Sequence, residues 1–295
     1  MREMLEAAGL KPRKALGQNF LVDAAALAEI AAAAEIGPDD VILEIGPGPG
    51  LLTERLAGAR RTVVACEIDR GLLALARERL PDRSIRWVEG DAIDGKGRLS
   101  PPLEAALSEA TRGGRPWRLV SNLPYGISVP VTLLALSRNP APRVAVVTVQ
   151  REVGARFRAR AATSSYGAVS VVARLLADAE VVRKLPPGAF WPRPSVHSTA
   201  LRFRPRAGAD RDLAASALFQ RFARDAFAER RKQLAPRLAS RSGGRLAARD
   251  AILVLASVGA SPTARADALE PEILAGLFRT LFEPGTCETP DAPWI

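Results

Sequence analysis

The chain has 295 residues, 47% apolar and 25% charged, with a net charge of +10, one histidine (His197) and two cysteines, Cys66 and Cys287. That size allows one large domain or two of ordinary globular composition. No stretch reaches the ~20 consecutive apolar residues of a membrane span, a single histidine removes most His-dependent catalysis and nearly all zinc sites, and two cysteines make no disulfide framework.

No signal peptide is expected in the opening residues, and a cytoplasmic location follows. Residues 1–205 carry +8 of the net charge and residues 206–295 only +2. Such a surplus suits nucleic acid or another anionic partner. Free use of arginine by a GC-rich genome produces the same balance.

The alanine-rich patch at 24–34, interrupted by Glu29, predicts an amphipathic helix. Apolar runs predict strands at 41–46, 62–68, 85–90, 118–123 and 144–150. They are near-continuous in apolar residues, as strands covered on both faces should be, and helical segments lie between most of them. The pattern is that of a doubly wound, Rossmann-like α/β sheet. The connection 95–117 is long, Gly/Pro/Arg-rich at its ends, with a turn or two of helix in its middle. Residues 181–185 and 198–204 predict an antiparallel pair that extends the sheet, joined by a Pro-rich loop, and His197 reads as a structural residue of that pair. From 212 to 282 only helical spacing remains. A boundary near 206 therefore separates an α/β domain, 1–205, from an all-α domain, 206–295, with an irregular tail at 283–295.

Three strand tips carry chemistry. The first ends in EIGPGPG (44–50), where Gly46, Gly48 and Gly50 permit a tight turn and close backbone approach to a ligand. A dinucleotide fingerprint would place glycine at 51, where Leu51 stands. A tight turn without a ligand is the competing reading. The second tip is CEID (66–69), with Glu67 suited to a ribose diol. The third is GDAI (90–93), where Asp91 and a small neighbour suit an adenine amino group. Either acid alone could be a solvated strand end. Together they point to S-adenosylmethionine rather than a nicotinamide cofactor. A fourth run leads into SNLPYGIS (121–128). Asn122 offers an uncharged amide oxygen, Pro124 stiffens the turn and Tyr125 offers a flat face, a set that suits a planar amine held by hydrogen bonds and stacking.

These motifs occur in order with KPRKALGQNFLVD (11–23), QREVGARF (150–157), SSYGAVSV (164–171), FWPRPSVHS (190–198) and FAERRKQL (227–234). The set resembles the KsgA/RsmA family of ribosomal RNA adenine N6-dimethyltransferases along most of the chain. The resemblance implies two methyl transfers to each of two adjacent adenines, in a hairpin loop near the 3′ end of 16S rRNA of the small ribosomal subunit. It implies S-adenosyl-L-methionine as cofactor and a Rossmann-like domain followed by a small helical one. Cofactor contacts then fall on Asn19, Leu21, Gly46, Glu67, Asp91 and Asn122, with Gln18, Gly48, Ile68 and Ala92 beside them. Gly126 departs from the family, which commonly has Asn there, and the 95–117 connection exceeds its usual length.

The implied chemistry needs no metal and no histidine. An adenine amine is a poor nucleophile, so placement and electrostatic help matter more than a strong base. Asn122 and a carbonyl in the Leu123–Pro124 segment are expected to accept the two N6–H groups. Tyr125 and Phe190 are expected to stack on the two faces of the base. Arg13, Lys14, Arg151, Arg193, Arg230 and Arg231 are the candidates for phosphate contacts, within basic clusters that include six Lys/Arg and no acid over 183–206. A monomer is expected. Competing readings are a large-subunit rRNA adenine methyltransferase, a DNA adenine methyltransferase, and a ribosome-assembly factor in which methylation is incidental or lost.

Overall fold

The computed structural model describes residues 1–282 except 59, 96 and 242–245, and leaves out the side chains of 241 and 248. The expected irregular tail, with Cys287, lies outside the described residues. Among them are nine strands: β1 (Phe20–Leu21), β2 (Val41–Ile45), β3 (Thr62–Glu67), β4 (Ile85–Glu89), β5 (Trp117–Asn122), β6 (Ala145–Gln150), β7 (Ala177–Leu185), β8 (Phe190–Trp191) and β9 (Ser198–Pro205). The helices are α1 (Arg2–Ala7), α2 (Ala24–Ala33), α3 (Thr53–Leu56), α4 (Arg70–Arg79), α5 (Pro101–Ala110), α6 (Ser128–Ser137), α7 (Arg151–Arg158), α8 (Ala168–Leu176), α9 (Arg211–Ala215), α10 (Ala217–Ala228), α11 (Leu234–Arg241), α12 (Ala248–Ser257) and α13 (Pro271–Phe282).

Seven strands form one sheet in the order β4-β3-β2-β5-β6-β9-β7. The first five in this order run parallel, and β9 lies antiparallel to β6. Every residue of β2 is buried, because β2 is flanked on both sides and covered on both faces. β4 departs from the expected continuous apolar strand. It is the sheet edge, so Ile85 and Val88 are buried while Arg86 and Glu89 face solvent. The chain steps outward from β2 to β3 and β4, then returns to β5 on the other side of β2. The order thus reverses between β2 and β5, the place where open α/β sheets leave a crevice beyond the strand ends.

The 95–117 connection contains more helix than expected. Ser100 and the two prolines after it start α5, whose Leu103, Leu107 and Ala110 are buried. It is an ordinary crossover helix that returns the chain to β5, and it packs on β3 and β4. Residues 181–185 and 198–204 lie in β7 and β9, neighbours at the other edge of the sheet. His197 falls one residue before β9 and is exposed, so it is not a strand residue.

The chain divides into two compact units. One is Met1–Gly154 with Asp178–Pro205, and the other is Ala155–Ala177 with the chain from Arg206 onward. The break at 205/206 coincides with the change in sequence character. Residues 155–177 do not stay with the α/β unit as an uninterrupted 1–205 domain requires. The Tyr166 hydroxyl donates to Leu269 O at 2.8 Å, its ring meets Phe227 edge-on, and Arg174 pairs with Glu270. These contacts tie α8 into the helical unit, whose core includes Phe219, Phe222 and Phe278.

Candidate active site

The carboxyl ends of β2, β3, β4 and β5 surround a cavity of 390 Å³. Its walls come from the loop after β2, the tips of β3 and β4, the segment 122–127 after β5, and the N-terminal stretch 14–20 folded over them.

The β2 loop turns sharply at Gly46 and Gly48, with φ of +66° and +55°. A Cβ on Gly48 would stand 2.9 Å from the Phe20 ring, and one on Gly46 would press on Pro124 at 3.2 Å. Glycine is required there both by conformation and by space. Glu67, at the tip of β3, is held by two backbone donors. Gly48 N donates to Oε2 at 3.0 Å and Asp69 N to Oε1 at 2.9 Å. Each oxygen keeps a lone pair for a ligand. Burial raises the Glu67 pKa, and the two backbone donors oppose that rise. Ile68 beside it is exposed against the cavity. Asp91 is exposed at the mouth, with Ile93 N donating to one of its oxygens at 3.1 Å, and Ala92 is buried behind it. This shell of diol acceptor, apolar platform, second acid and glycine cradle fits an adenosyl cofactor in residue type and spacing.

The run Asn122–Tyr125 follows β5. The Asn122 amide nitrogen donates to Asn19 O at 3.0 Å, and its oxygen accepts from the Thr148 hydroxyl. Leu123 is buried, Pro124 leads into a short turn, and Pro124 O accepts from Ile127 N at 3.1 Å. Tyr125 lines the cavity and its hydroxyl lies 2.7 Å from that of Ser198. Burial raises the Tyr125 pKa, so the phenol stays neutral. Cys66 also lines the cavity. Burial first, then the nearby Glu67 and Asp91 charges, push its thiol up to about 12, which removes it as a nucleophile at neutral pH.

The N-terminal stretch is latched by its own bonds. Gln18 donates to Asp69 at 3.0 Å and accepts from Arg13 N at 2.7 Å, while the Arg13 guanidinium pairs with Asp69 at 3.3 Å.

Most of the residues expected around the cofactor and target meet here: Gln18, Asn19, Gly46, Gly48, Glu67, Ile68, Asp91, Ala92, Asn122, Leu123, Pro124 and Tyr125 all line the one cavity. Two do not. Leu21 is buried opposite Phe190 in the β1–β8 pair and lies behind the wall. Phe190 is 4% exposed and packs in the core cluster with Leu21 and Leu27, so its ring does not present a second stacking face. The β1–β8 pairing turns it inward, and spacing in the Pro-rich loop gave no sign of that pairing.

The basic candidates also divide. Arg13 is committed to Asp69, and Arg230 donates to Ser164 O and Tyr166 O inside the helical unit. Within 183–206, Arg183, Arg202, Arg204 and Arg206 pair with Glu29, Glu180, Glu35 and Glu272 respectively. Lys14, Arg151 and Arg193 carry no ion pair among the described residues. Lys14 sits in the cavity wall, Arg151 follows the carboxyl end of β6 with its N–H on His197 O just before β9, and Arg193 is exposed in the loop between β8 and β9. Arg231 is exposed in the helical unit.

Two further residues beside the site carry no local sign in the sequence. Thr148 lay inside an apolar strand run and reaches the site only through sheet register. Glu44 is 2% exposed at the end of β2, with Oε2 lacking a hydrogen-bond partner among the described residues. Burial pushes its carboxyl up to about 8. The Thr53 hydroxyl opposes that shift without reaching hydrogen-bond geometry, and the Glu67 charge adds to it. No group of three or more His, Cys, Asp and Glu placed to hold a metal occurs among the described residues, and no helix there is long and apolar enough to cross a membrane.

A family model described as ribosomal RNA adenine dimethylase matches residues 9–263. The ribosomal RNA small subunit methyltransferase A of Moorella thermoacetica is 39% identical over 92% of this chain and 93% of its own length. Among solved structures, a dimethyladenosine transferase from Plasmodium falciparum covers 89% of this chain and 97% of its own at a TM-score of 0.73 and 22% identity, a likeness of fold. The 23S rRNA methyltransferase ErmE covers 89% and 99% at a TM-score of 0.59 and 28% identity. The chain belongs to the ribosomal RNA adenine dimethylase family.

Proposed function

We propose that this protein transfers methyl groups from S-adenosyl-L-methionine to N6 of two adjacent adenines in the 3′-terminal hairpin loop of 16S rRNA in the small ribosomal subunit. It acts as a cytoplasmic monomer that also serves subunit biogenesis. The observation that carries this reading is the convergence of Glu67, Asp91 and Asn122–Tyr125 on one cavity beneath the glycine loop. The relative named for the small subunit supports that choice of particle over the large one.

The cofactor, when bound, supplies a methyl group on a sulfonium leaving group. Glu67 holds the ribose end, Ile68 and Ala92 flank the adenine, and Asp91 meets its amino group. Gln18 and Asn19 close the N-terminal side. For the target base, the Asn122 oxygen accepts one N6–H. The Leu123 carbonyl is the better second acceptor, because Pro124 O already carries the Ile127 N–H. Both bonds pull electron density toward nitrogen and favour a tetrahedral amine with its lone pair aimed at the methyl carbon. Tyr125 stacks on one face, worth about 1–3 kcal/mol. Loop adenines leave their own stack at lower cost than duplex ones. The proton departs after attack, so no strong base is required. Lys14 and Arg151 supply phosphate contacts at the carboxyl ends of the strands, and the exposed Arg193 and Arg231 further ones.

The test uses purified protein, methyl-labelled S-adenosylmethionine and separated small and large subunits lacking the modification. Labelled N6,N6-dimethyladenosine from the small subunit alone is expected. Label in the large subunit moves the substrate there. No label in either particle, with cofactor binding intact, leaves an assembly role without catalysis.

A further inference from the structure

β5 and β6 run parallel, and their register sets Asn122 directly beside Thr148. The Asn122 side chain is held at both ends. Its nitrogen donates to the Asn19 carbonyl at 3.0 Å, and its oxygen accepts from the Thr148 hydroxyl. A carbonyl oxygen only accepts, so the amide nitrogen must face Asn19 and the amide oxygen must face Thr148. The hydroxyl is fully buried and makes this one bond among the described residues, so water does not compete for it. An amide oxygen has two lone pairs, and Thr148 takes one.

We infer that Thr148 is a positioning residue for methyl transfer. Its hydroxyl donates to the Asn122 oxygen, anchors the carboxamide in the orientation that the Asn19 carbonyl imposes, and leaves one lone pair for the target amine. This rests on the assignment of Asn122 as the amine acceptor. A flipped carboxamide would offer N–H groups to a target that itself donates, and would set its oxygen against the Asn19 carbonyl. The Asn19 carbonyl, which can only accept, excludes that flip, and Thr148 fixes the plane of the oriented carboxamide from the strand next door without touching base or cofactor.

Two substitutions separate hydroxyl chemistry from packing. Thr148→Val keeps the shape and the β-branch but removes the donor. Thr148→Ser keeps the donor, loses a methyl group and has lower strand propensity. Packing alone predicts that Val is the better replacement in both stability and rate. The positioning role predicts opposite orders. Thermal stability should run Val at or above Thr, and Thr above Ser. The single-turnover rate should be near wild type for Ser and about three- to tenfold lower for Val, the worth of one net hydrogen bond. Cofactor Kd and RNA KM should stay unchanged in both.

A Val variant at wild-type rate, or rates that follow stability, overturns the positioning role. Asn122→Ala, run in parallel, tests the assignment beneath it. If that variant keeps near-normal methylation, Asn122 is not the acceptor and both claims fall. If it is inactive while Val is unimpaired, only the role of Thr148 falls.

Discussion

The Tyr125 hydroxyl lies 2.7 Å from the Ser198 hydroxyl, joining the ring that faces the cavity to the first residue of β9. Ser198 is itself buried, opposite Gln150 at the end of β6. The bond restrains the swing of the Tyr125 ring, so the stacking surface is set before a base arrives. Tyr125→Phe and Ser198→Ala should each slow methylation by about fivefold, a net hydrogen bond of about 1 kcal/mol. The double variant should be no slower than either, because both remove the same bond. Single-turnover rates for the four proteins test this, and additive losses would break the link.

Glu67 accepts a backbone N–H on each carboxylate oxygen. Glu67→Gln therefore sets an amide N–H against one of those donors and removes an acceptor facing the cavity. Affinity for S-adenosylmethionine should fall by about tenfold or more, the cost of one or two charge-assisted hydrogen bonds. Titration calorimetry with the folded variant reads this directly, and an unchanged Kd would remove Glu67 from the cofactor site.

Gly48 has φ of +55°, and a Cβ there would stand 2.9 Å from the Phe20 ring. Gly48→Ala should cost about 1–3 kcal/mol of stability through backbone strain and displacement of Phe20. It should also weaken cofactor binding, because the same residue's N–H holds Glu67. Chemical denaturation and calorimetry measure the two losses separately.

Glu44 makes stability depend on pH. Burial raises its pKa from the ordinary 4.5 to about 8. Between those values the native protein binds one more proton at this site than the unfolded chain does. The stabilisation it provides is therefore complete below pH 4.5 and is lost as pH rises toward about 8. Glu44→Gln removes this dependence. The variant should gain on wild type by a few kcal/mol, as an order of magnitude, between about pH 5 and pH 8. Denaturation midpoints of cofactor-free protein across that range check the sign, and a gap that narrows with rising pH would contradict it.

Apolar runs marked all five parallel strands to within a residue or two; the four inner ones need apolar side chains on both faces, and the edge strand β4 still buries Ile85 and Val88. The strand tips were legible too. A chain that leaves a strand through glycine or a lone acid carries a local sign at that point, and Gly46, Glu67, Asp91 and Asn122 each followed such a run. Helix α5 is less legible, since Gly, Pro and Arg at the ends of 95–117 mask the buried stripe of Leu103, Leu107 and Ala110.

Element order, strand ends and most of the cavity-lining residues were thus set by local composition, which acts within a few positions along the chain. The placements of Phe190, Thr148 and Ser198 were decided only by tertiary pairing. The β1–β8 register turns Phe190 into the core, β5–β6 sets Thr148 beside Asn122, and Ser198 on β9 meets Tyr125 across 73 positions of sequence. Register depends on the fit of whole strands to one another, and no single residue carries that information.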